Sequence, residues 1–160
     1  MTIARIASRA AATTYESDHG RAAAEVLEMD STDVIAALMS WAVMLSHYSS
    51  PTHLPVIEYA PQRFFVEHAC GGKKCGAIGW YDNQGTIYID ERLKSQDTVS
   101  TRGLIVHEMV HYLQDLSGKF DPTGCRDSRL REQEAYAIQR EFIARTAGQA
   151  AFLTMTFRDC

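Results

Sequence analysis

Two histidines four residues apart, with a glutamate directly after the first, are the residues of this chain best suited to chemistry. They form the sequence His107-Glu108-Met109-Val110-His111. Residues four apart on an α-helix share one face, so both imidazoles can bind the same ion. Glu108 lies about 100° round the helix from His107, within reach of a water on the open side of that ion. The spacing predicts His107 and His111 as ligands of one Zn²⁺ ion and Glu108 as the general base of a hydrolase.

A catalytic zinc takes three protein ligands and keeps a fourth position open, so a third ligand must come from another element. The helix predicted after the motif carries Glu132, Glu134 and Glu141. On a helical wheel Glu132 lies within the apolar sector of that helix, Glu134 lies at its edge, and Glu141 lies beyond it. We therefore expect Glu132 to be the third metal ligand, with Glu134 as the fallback.

The elements that must position these residues follow from hydrophobic periodicity and turn chemistry. An N-cap at residues 31–33 predicts an amphipathic helix that ends near Tyr48, with its Met and Trp side chains in the core. Two further helices are predicted, from about Ser100 to Leu116 and from Asp127 or Ser128 toward Gly148.

Between the first helix and the motif, residues 55–90 change to short β-rich runs. The turn residues 82–85 favour a hairpin between the last two runs. Helix, small sheet, helix and helix follow one another without alternation, which indicates an α+β fold. The predicted strands are Val56–Tyr59, Arg63–Glu67, Ala77–Tyr81 and Thr86–Asp90.

Length and composition limit the classes of protein that this chain can represent. Its 160 residues are enough for one domain, which we assign to residues 31–160, with residues 1–30 as a helical N-terminal extension. The net charge is −4 and no basic cluster occurs, so nucleic acid is not an expected partner. No apolar run approaches the length of a membrane span.

Four cysteines, Cys70, Cys75, Cys125 and Cys160, allow up to two disulfides. Cys70 and Cys75 are the candidates for a disulfide that closes a short loop. Reduced cysteines are the alternative, and a Cys-x4-Cys metal site is disfavoured because no second such pair completes four ligands. If the pairing holds, the protein works outside the cytosol, in a periplasmic or secreted location.

The motif at 107–111, followed by Glu132-Gln133-Glu134-Ala135-Tyr136, resembles the gluzincin peptidases, and among them the minimal single-domain members. In that group a second helix supplies the glutamate ligand, often in a Glu-x-x-Ala-Asp or Glu-x-x-x-Asp pattern. The resemblance covers roughly residues 55–147 and assigns the ligand role to Glu132. It implies a zincin-like fold, in which a small sheet that contains antiparallel strands packs on the HExxH helix and the glutamate helix. It also implies a zinc metalloendopeptidase whose peptide or protein substrate lies beside an edge strand of the 76–90 hairpin.

The chain departs from the family at Tyr136, where those proteins often carry Asp or Asn to brace a zinc-bound histidine. Tyr136 has three interpretations: a packing residue, which is favoured, a brace through its hydroxyl, or a donor to the oxyanion. Asp115, four residues after His111, is another candidate brace, with an exposed acid at the helix end as the alternative. The other histidines have no second ligand residue at a suitable spacing, so each is more often a surface or packed residue than a catalytic one. His68 is a slightly better candidate than the rest because it closes a predicted strand near Cys70. These histidines are His19, His47, His53 and His68.

Two other classes of function compete with a peptidase. One is a non-catalytic binding module with a zincin fold. Glu108 argues against it, because a purely structural site has no use for a carboxylate beside an open metal position. The other is a disulfide-stabilised interaction domain in which the HExxH sequence is accidental, and metal analysis would separate it from a zinc protein.

Overall fold

The computed structural model of the protein describes residues 31–121 and 124–148. Within these ranges the chain forms four α-helices and a three-stranded mixed sheet, which confirms the α+β class. The expected helical extension of residues 1–30 lies outside the described residues, as does Cys160.

The first helix, α1, spans Thr32–Ser46 and ends two residues before the predicted position. The Ser31 side chain accepts a hydrogen bond from the Val34 N–H at 3.4 Å and caps the helix as expected. One face, which includes Leu38 and Met39, is buried, and Trp41 packs edge-to-face on Phe142 at 5.6 Å. Met39 and Trp41 therefore contribute to the core, as predicted, whereas Met44 is exposed.

The sheet consists of β1 (Val56–Ala60), β2 (Gly79–Tyr81) and β3 (Thr86–Asp90) in the order β1–β3–β2. β2 and β3 are antiparallel, which confirms the hairpin, and β1 is parallel to β3. Asp82 Oδ1 accepts hydrogen bonds from the N–H groups of Gln84 and Thr86 and so closes the hairpin turn. β3 is therefore the central strand, and β2 is an edge strand.

The predicted strand Arg63–Glu67 is wrong, because this segment is helical. A short helix, α2 (Gln62–Phe64), continues into a π-helical turn at Phe65–Ala69. The side chains buried in this segment are Phe65 and Ala69, four residues apart, which is a helical and not a strand spacing. Aromatic and β-branched composition favoured a strand here, and packing of one helical face overrides that local preference.

Helices α3 (Val99–Ser117) and α4 (Cys125–Ala147) correspond to the two helices predicted around the motif. The Thr98 side chain caps the start of α3, and Gly118, with a φ of 61°, ends it. α3 packs against α1, α4 and the sheet, so it is the central element of the core. Four of its apolar side chains are fully buried: Ile105, Val106, Met109 and Val110.

α3 and α4 approach closely at Gly103. A Cβ atom at this glycine would lie 2.9 Å from Cδ1 of Ile143 on α4, well inside normal contact distance. Only glycine leaves room for this approach without displacing Ile143. The two helices that carry the predicted ligands are therefore held in close contact at this point.

Cys70 and Cys75 form the predicted disulfide, with Cα atoms 6.4 Å apart, and it closes the loop 71–74. Cys125 is disulfide-bonded as well. A search of the described helices for a stretch long and apolar enough to cross a membrane finds none.

Candidate metal centre

His107 and His111 lie one helical turn apart on the buried face of α3. Their Nε2 atoms are 3.1 Å apart, and their rings are nearly perpendicular at 81°. Both side chains therefore direct their Nε2 atoms toward one point, as the spacing predicts.

Glu132 approaches the same point from α4. Its Oε2 atom lies 3.4 Å from Nε2 of His107, and its Oε1 atom lies 3.5 Å from Nε2 of His111. The donor atoms of the three residues all lie within 4.8 Å of one another. The structure thus brings together the three residues predicted as ligands, and this group could hold a metal ion.

The spacing of these donor atoms suits a tetrahedral ion. With metal–ligand bonds of about 2.0–2.1 Å, the edge of a tetrahedral coordination sphere is about 3.3–3.4 Å. The Nε2 atoms of the two histidines, 3.1 Å apart, are close to that edge, and they lie 3.4 and 3.5 Å from the two different carboxylate oxygens of Glu132. Two imidazole nitrogens and one Glu132 oxygen can occupy three corners once that carboxylate turns one oxygen toward the ion, and the fourth corner is left for another ligand.

Glu134, the fallback ligand, is directed elsewhere. Its carboxylate accepts hydrogen bonds from the Tyr48 hydroxyl at 2.7 Å, from Nε2 of Gln114 at 2.8 Å and from Nζ of Lys119 at 3.0 Å. These bonds and the positive charge of Lys119 outweigh the effect of burial and lower the pKa of Glu134. Glu134 is engaged by three donors, and of the two candidates only Glu132 joins the histidines.

Glu108 is buried, with 6 % of its surface exposed, beside the ligand group and against the edge strand. The backbone N–H of Tyr81 favours the ionised form of this carboxylate and so acts against the rise in its pKa. Glu108 also contacts Gly79, where a Cβ atom would come within 2.7 Å of Oε1 of Glu108. The predicted base therefore lies between the ligand group and β2 and belongs to neither.

The two carboxylates of the site are shifted in opposite directions. Burial raises the pKa of Glu108, against the attraction of the two histidines. Burial would also raise the pKa of Glu132, but the attraction of His107 and His111, whose Nε2 atoms lie 3.4 and 3.5 Å from its oxygens, outweighs burial and lowers that pKa. Glu132 is therefore held ionised, as a metal ligand must be, while Glu108 has the greater affinity for a proton.

Asp115, predicted as a brace for His111, makes a different contact. Its Oδ2 atom accepts a hydrogen bond from the Tyr81 hydroxyl at 2.9 Å. Nδ1 of His111 instead lies 2.8 Å from Oε1 of Gln114, which is 1 % exposed. Gln114 was missed because it is uncharged, although it lies three residues after His111 and so on the same helical face.

Tyr136 contacts the site through its ring. The ring centroid lies 4.5 Å from that of His107, at an interplanar angle of 65°. This contact agrees with the interpretation of Tyr136 as a packing residue. Nδ1 of His107, which is buried, has no hydrogen-bond partner among the described residues.

His68, ranked slightly above the other isolated histidines, lies in the π-helical turn and not at the end of a strand. Its ring packs on Phe64 at 4.3 Å and faces Trp80 at 6.4 Å. His68 therefore belongs to an aromatic cluster on the sheet and is not among the residues that form the candidate metal group.

Comparisons with protein-family models, with curated proteins and with solved structures find no match to this chain. The site itself offers three groups that could hold a metal ion, a buried carboxylate beside them and an edge strand next to that carboxylate.

Proposed function

We propose that the protein is a zinc-dependent metalloendopeptidase. The observation that carries this proposal is the position of Glu108, a buried carboxylate that lies beside a three-donor group without belonging to it. A site with a purely structural metal has no use for such a group, because its coordination sphere is closed by protein ligands. A hydrolase needs it as a proton acceptor next to the open position.

Zinc is the metal that the donor set favours. Two imidazole nitrogens and one carboxylate oxygen, the donors that this group offers, are a common ligand set of catalytic zinc sites. When bound, zinc lowers the pKa of a bound water and polarises a carbonyl oxygen. His107, His111 and Glu132 would hold the ion, and Glu132 would bring a negative charge that the lowered pKa keeps in place.

Glu108 would carry the proton during hydrolysis. It would accept a proton from the attacking water and then donate that proton to the leaving amine. Burial raises its pKa, which increases its strength as a base, and the Tyr81 N–H orients its carboxylate. Such a group is effective when its pKa lies close to the working pH.

An extended peptide fits the position of Glu108 better than a compact substrate does. β2 is an edge strand, and the residues that contact Glu108, Gly79 and Tyr81, both belong to it. A peptide that adds to this edge as a further strand would pass its backbone beside Glu108 and the three donors. Main-chain hydrogen bonds would then hold the scissile bond in register with the site.

An oxidising location follows from the disulfide. The bond between Cys70 and Cys75 would be reduced in the cytosol, whereas disulfides persist in the periplasm and outside the cell. We therefore propose that the protein works outside the cytosol. Protein taken from its native cells and alkylated without reductant should leave both cysteines unlabelled, and labelling of both would contradict this location.

The Glu108→Gln variant tests the proposed activity. It should retain stoichiometric zinc, because Glu108 is not a ligand, and its kcat on a fluorogenic peptide library should fall by about 10²–10⁴-fold. Glu141→Gln is the matched control, since Glu141 lies on the exposed side of α4 and bonds only to Arg145 in the described contacts. The control should cleave at the unmodified rate.

Three results would overturn the proposal. Unmodified protein that takes up no zinc would remove the metal site. Glu108→Gln protein that cleaves at the unmodified rate would remove the general base. Zinc-loaded protein that binds peptides without cleaving any of them would favour a non-catalytic binding module instead.

A further inference from the structure

Gln114 connects a metal ligand on α3 to a polar network on α4. Its Oε1 atom lies 2.8 Å from Nδ1 of His111, and its Nε2 atom donates to the Arg131 carbonyl at 3.1 Å and to Oε2 of Glu134 at 2.8 Å. Because Gln114 is 1 % exposed, these contacts, and not water, satisfy its amide.

The orientation of this amide is determined by its partners. A carbonyl oxygen and an ionised carboxylate can only accept hydrogen bonds, so the amide nitrogen must face the Arg131 carbonyl and Glu134. On the other side Nε of Arg131, which can only donate, lies 3.4 Å from Oε1. A flipped amide would place its oxygen against two acceptors, so Gln114 has one orientation.

One amide orientation allows one tautomer of His111. Oε1 of Gln114 can only accept, so Nδ1 of a neutral His111 must carry the hydrogen, and Nε2 is then left with its lone pair. Nε2 is the atom directed at the candidate metal position. The opposite tautomer would place a hydrogen on Nε2, where it could bond to Glu132 and block coordination.

We infer that Gln114 is a positioning residue that holds His111, before any metal binds, in the tautomer that can coordinate. This inference rests on the proposed metal site and goes beyond it, because it concerns the metal-free protein. Once His111 is neutral, metal binding would then require no change of its tautomer, which preserves affinity.

Glu134 acts in this network as the anchor of Gln114. Tyr48, two residues after the end of α1, and Lys119, from the loop after α3, both donate to its carboxylate, so two further segments fix the acceptor that faces the Gln114 amide. His107 has no equivalent, since its Nδ1 lacks a hydrogen-bond partner among the described residues. His111 is thus the histidine whose tautomer is fixed before a metal binds.

The tautomer is measurable directly by ¹⁵N NMR of the imidazoles in metal-free protein, at an alkaline pH at which titration shows His111 to be neutral. Unmodified protein should show His111 protonated on Nδ1. A signal from His111 protonated on Nε2 would overturn the inference. This measurement needs no substitution and no metal, so it stands even if the protein proves to bind no zinc.

A substitution tests the consequence for binding. Gln114→Met removes all the hydrogen bonds of the Gln114 amide at nearly constant volume, and it should shift metal-free His111 toward the Nε2–H tautomer and weaken Zn²⁺ or Co²⁺ affinity by about 10–100-fold. Gln133→Met makes the same change at an exposed glutamine of α4 and should leave both quantities unchanged. Wild-type affinity in folded Gln114→Met protein would overturn the inference while leaving the metal site in place. Absence of metal binding by the unmodified protein would instead overturn the proposed function.

Discussion

The carboxylate of Glu108 and the backbone of Gly79 are in direct contact across the gap between α3 and the edge strand β2. A Cβ atom at residue 79 would lie 2.7 Å from Oε1 of Glu108 and 2.9 Å from Cδ1 of Leu104. The absence of a side chain at this position is what allows the buried carboxylate to lie against the strand. A shift of β2 at Gly79 would therefore move the carboxylate of the proposed general base, and a shift of Glu108 would move the strand.

Gly79→Ala should lower activity more than stability. The added methyl group would displace Glu108, and a shift of about 1 Å in a catalytic group costs about 100-fold in rate. The free energy of unfolding should fall by about 1–3 kcal/mol, the usual effect of overpacking. Gly76→Ala is the control, because a Cβ atom there meets nothing within 4 Å. Equal kcat/KM values for the two variants would show that the contact has no functional role.

Glu132→Ala should abolish stoichiometric zinc binding, because it removes one of three ligands and leaves two. Glu134→Gln should retain stoichiometric metal, with an affinity weakened by no more than the about 10–100-fold expected when Gln114 is lost, since Glu134 bonds to Tyr48, Gln114 and Lys119 and not to the ligand group. Metal content by mass spectrometry and affinity by chelator competition measure both. Loss of the metal from Glu134→Gln together with retention in Glu132→Ala would reverse the assignment of the third ligand.

Removal of the metal should lower both activity and thermal stability. Chelation should abolish cleavage, and zinc should restore it. A ligand that binds only the folded state at 100 times its Kd stabilises by about 2.7 kcal/mol, which raises Tm by roughly 5–10 °C for a chain of this size. Differential scanning calorimetry with and without zinc measures the shift. An identical Tm in both conditions would contradict binding to the folded protein.

The buried carboxylate of Asp90 should make stability depend on pH. Hydrogen bonds from the Arg92 side chain and backbone lower the pKa of Asp90, so its ionised form stabilises the folded state. This contribution is complete above the unfolded pKa of about 3.9 and is lost as the pH falls through the lower, folded value.

Asp90→Asn should therefore be destabilised at pH 7, and its difference from the unmodified protein should shrink in acid. Asp97→Asn is the comparison, because Asp97 forms an ion pair with Arg102 in which both side chains are about one-third exposed. Solvent screens such a pair, so the loss should be smaller. Urea unfolding at several pH values gives these differences. A pH-independent difference for Asp90→Asn would contradict the role assigned to its charge.

The metal ligands could be predicted because their geometry is local to single helices. The spacing of His107 and His111 places them on one face whatever the rest of the chain does, and the apolar neighbours of Glu132 turn it toward the core. The hairpin could be predicted for the same reason, because its turn is determined by hydrogen bonds from residues two and four positions after Asp82.

The parts that could not be predicted depend on contacts distant in sequence. Pairing of β1 with β3 is parallel and leaves no turn signal. The helical segment at 62–69 follows its packing and not its β-rich composition. The i, i+3 spacing relates Gln114 to His111, but the orientation of its amide depends on partners on another helix, Arg131 and Glu134, which no spacing rule relates to it.

The glycine at position 103 has a consequence beyond the packing at that point. On α3 it lies one turn before His107, and it faces Ile143 of α4, while His107 faces Tyr136 further back along that helix. The short distance between the two helix axes at this end therefore depends on the absence of a side chain at Gly103. A larger residue there would push the two helices apart. The distance between the two histidines on α3 and Glu132 on α4 would then increase, although the new side chain touches none of these donor atoms.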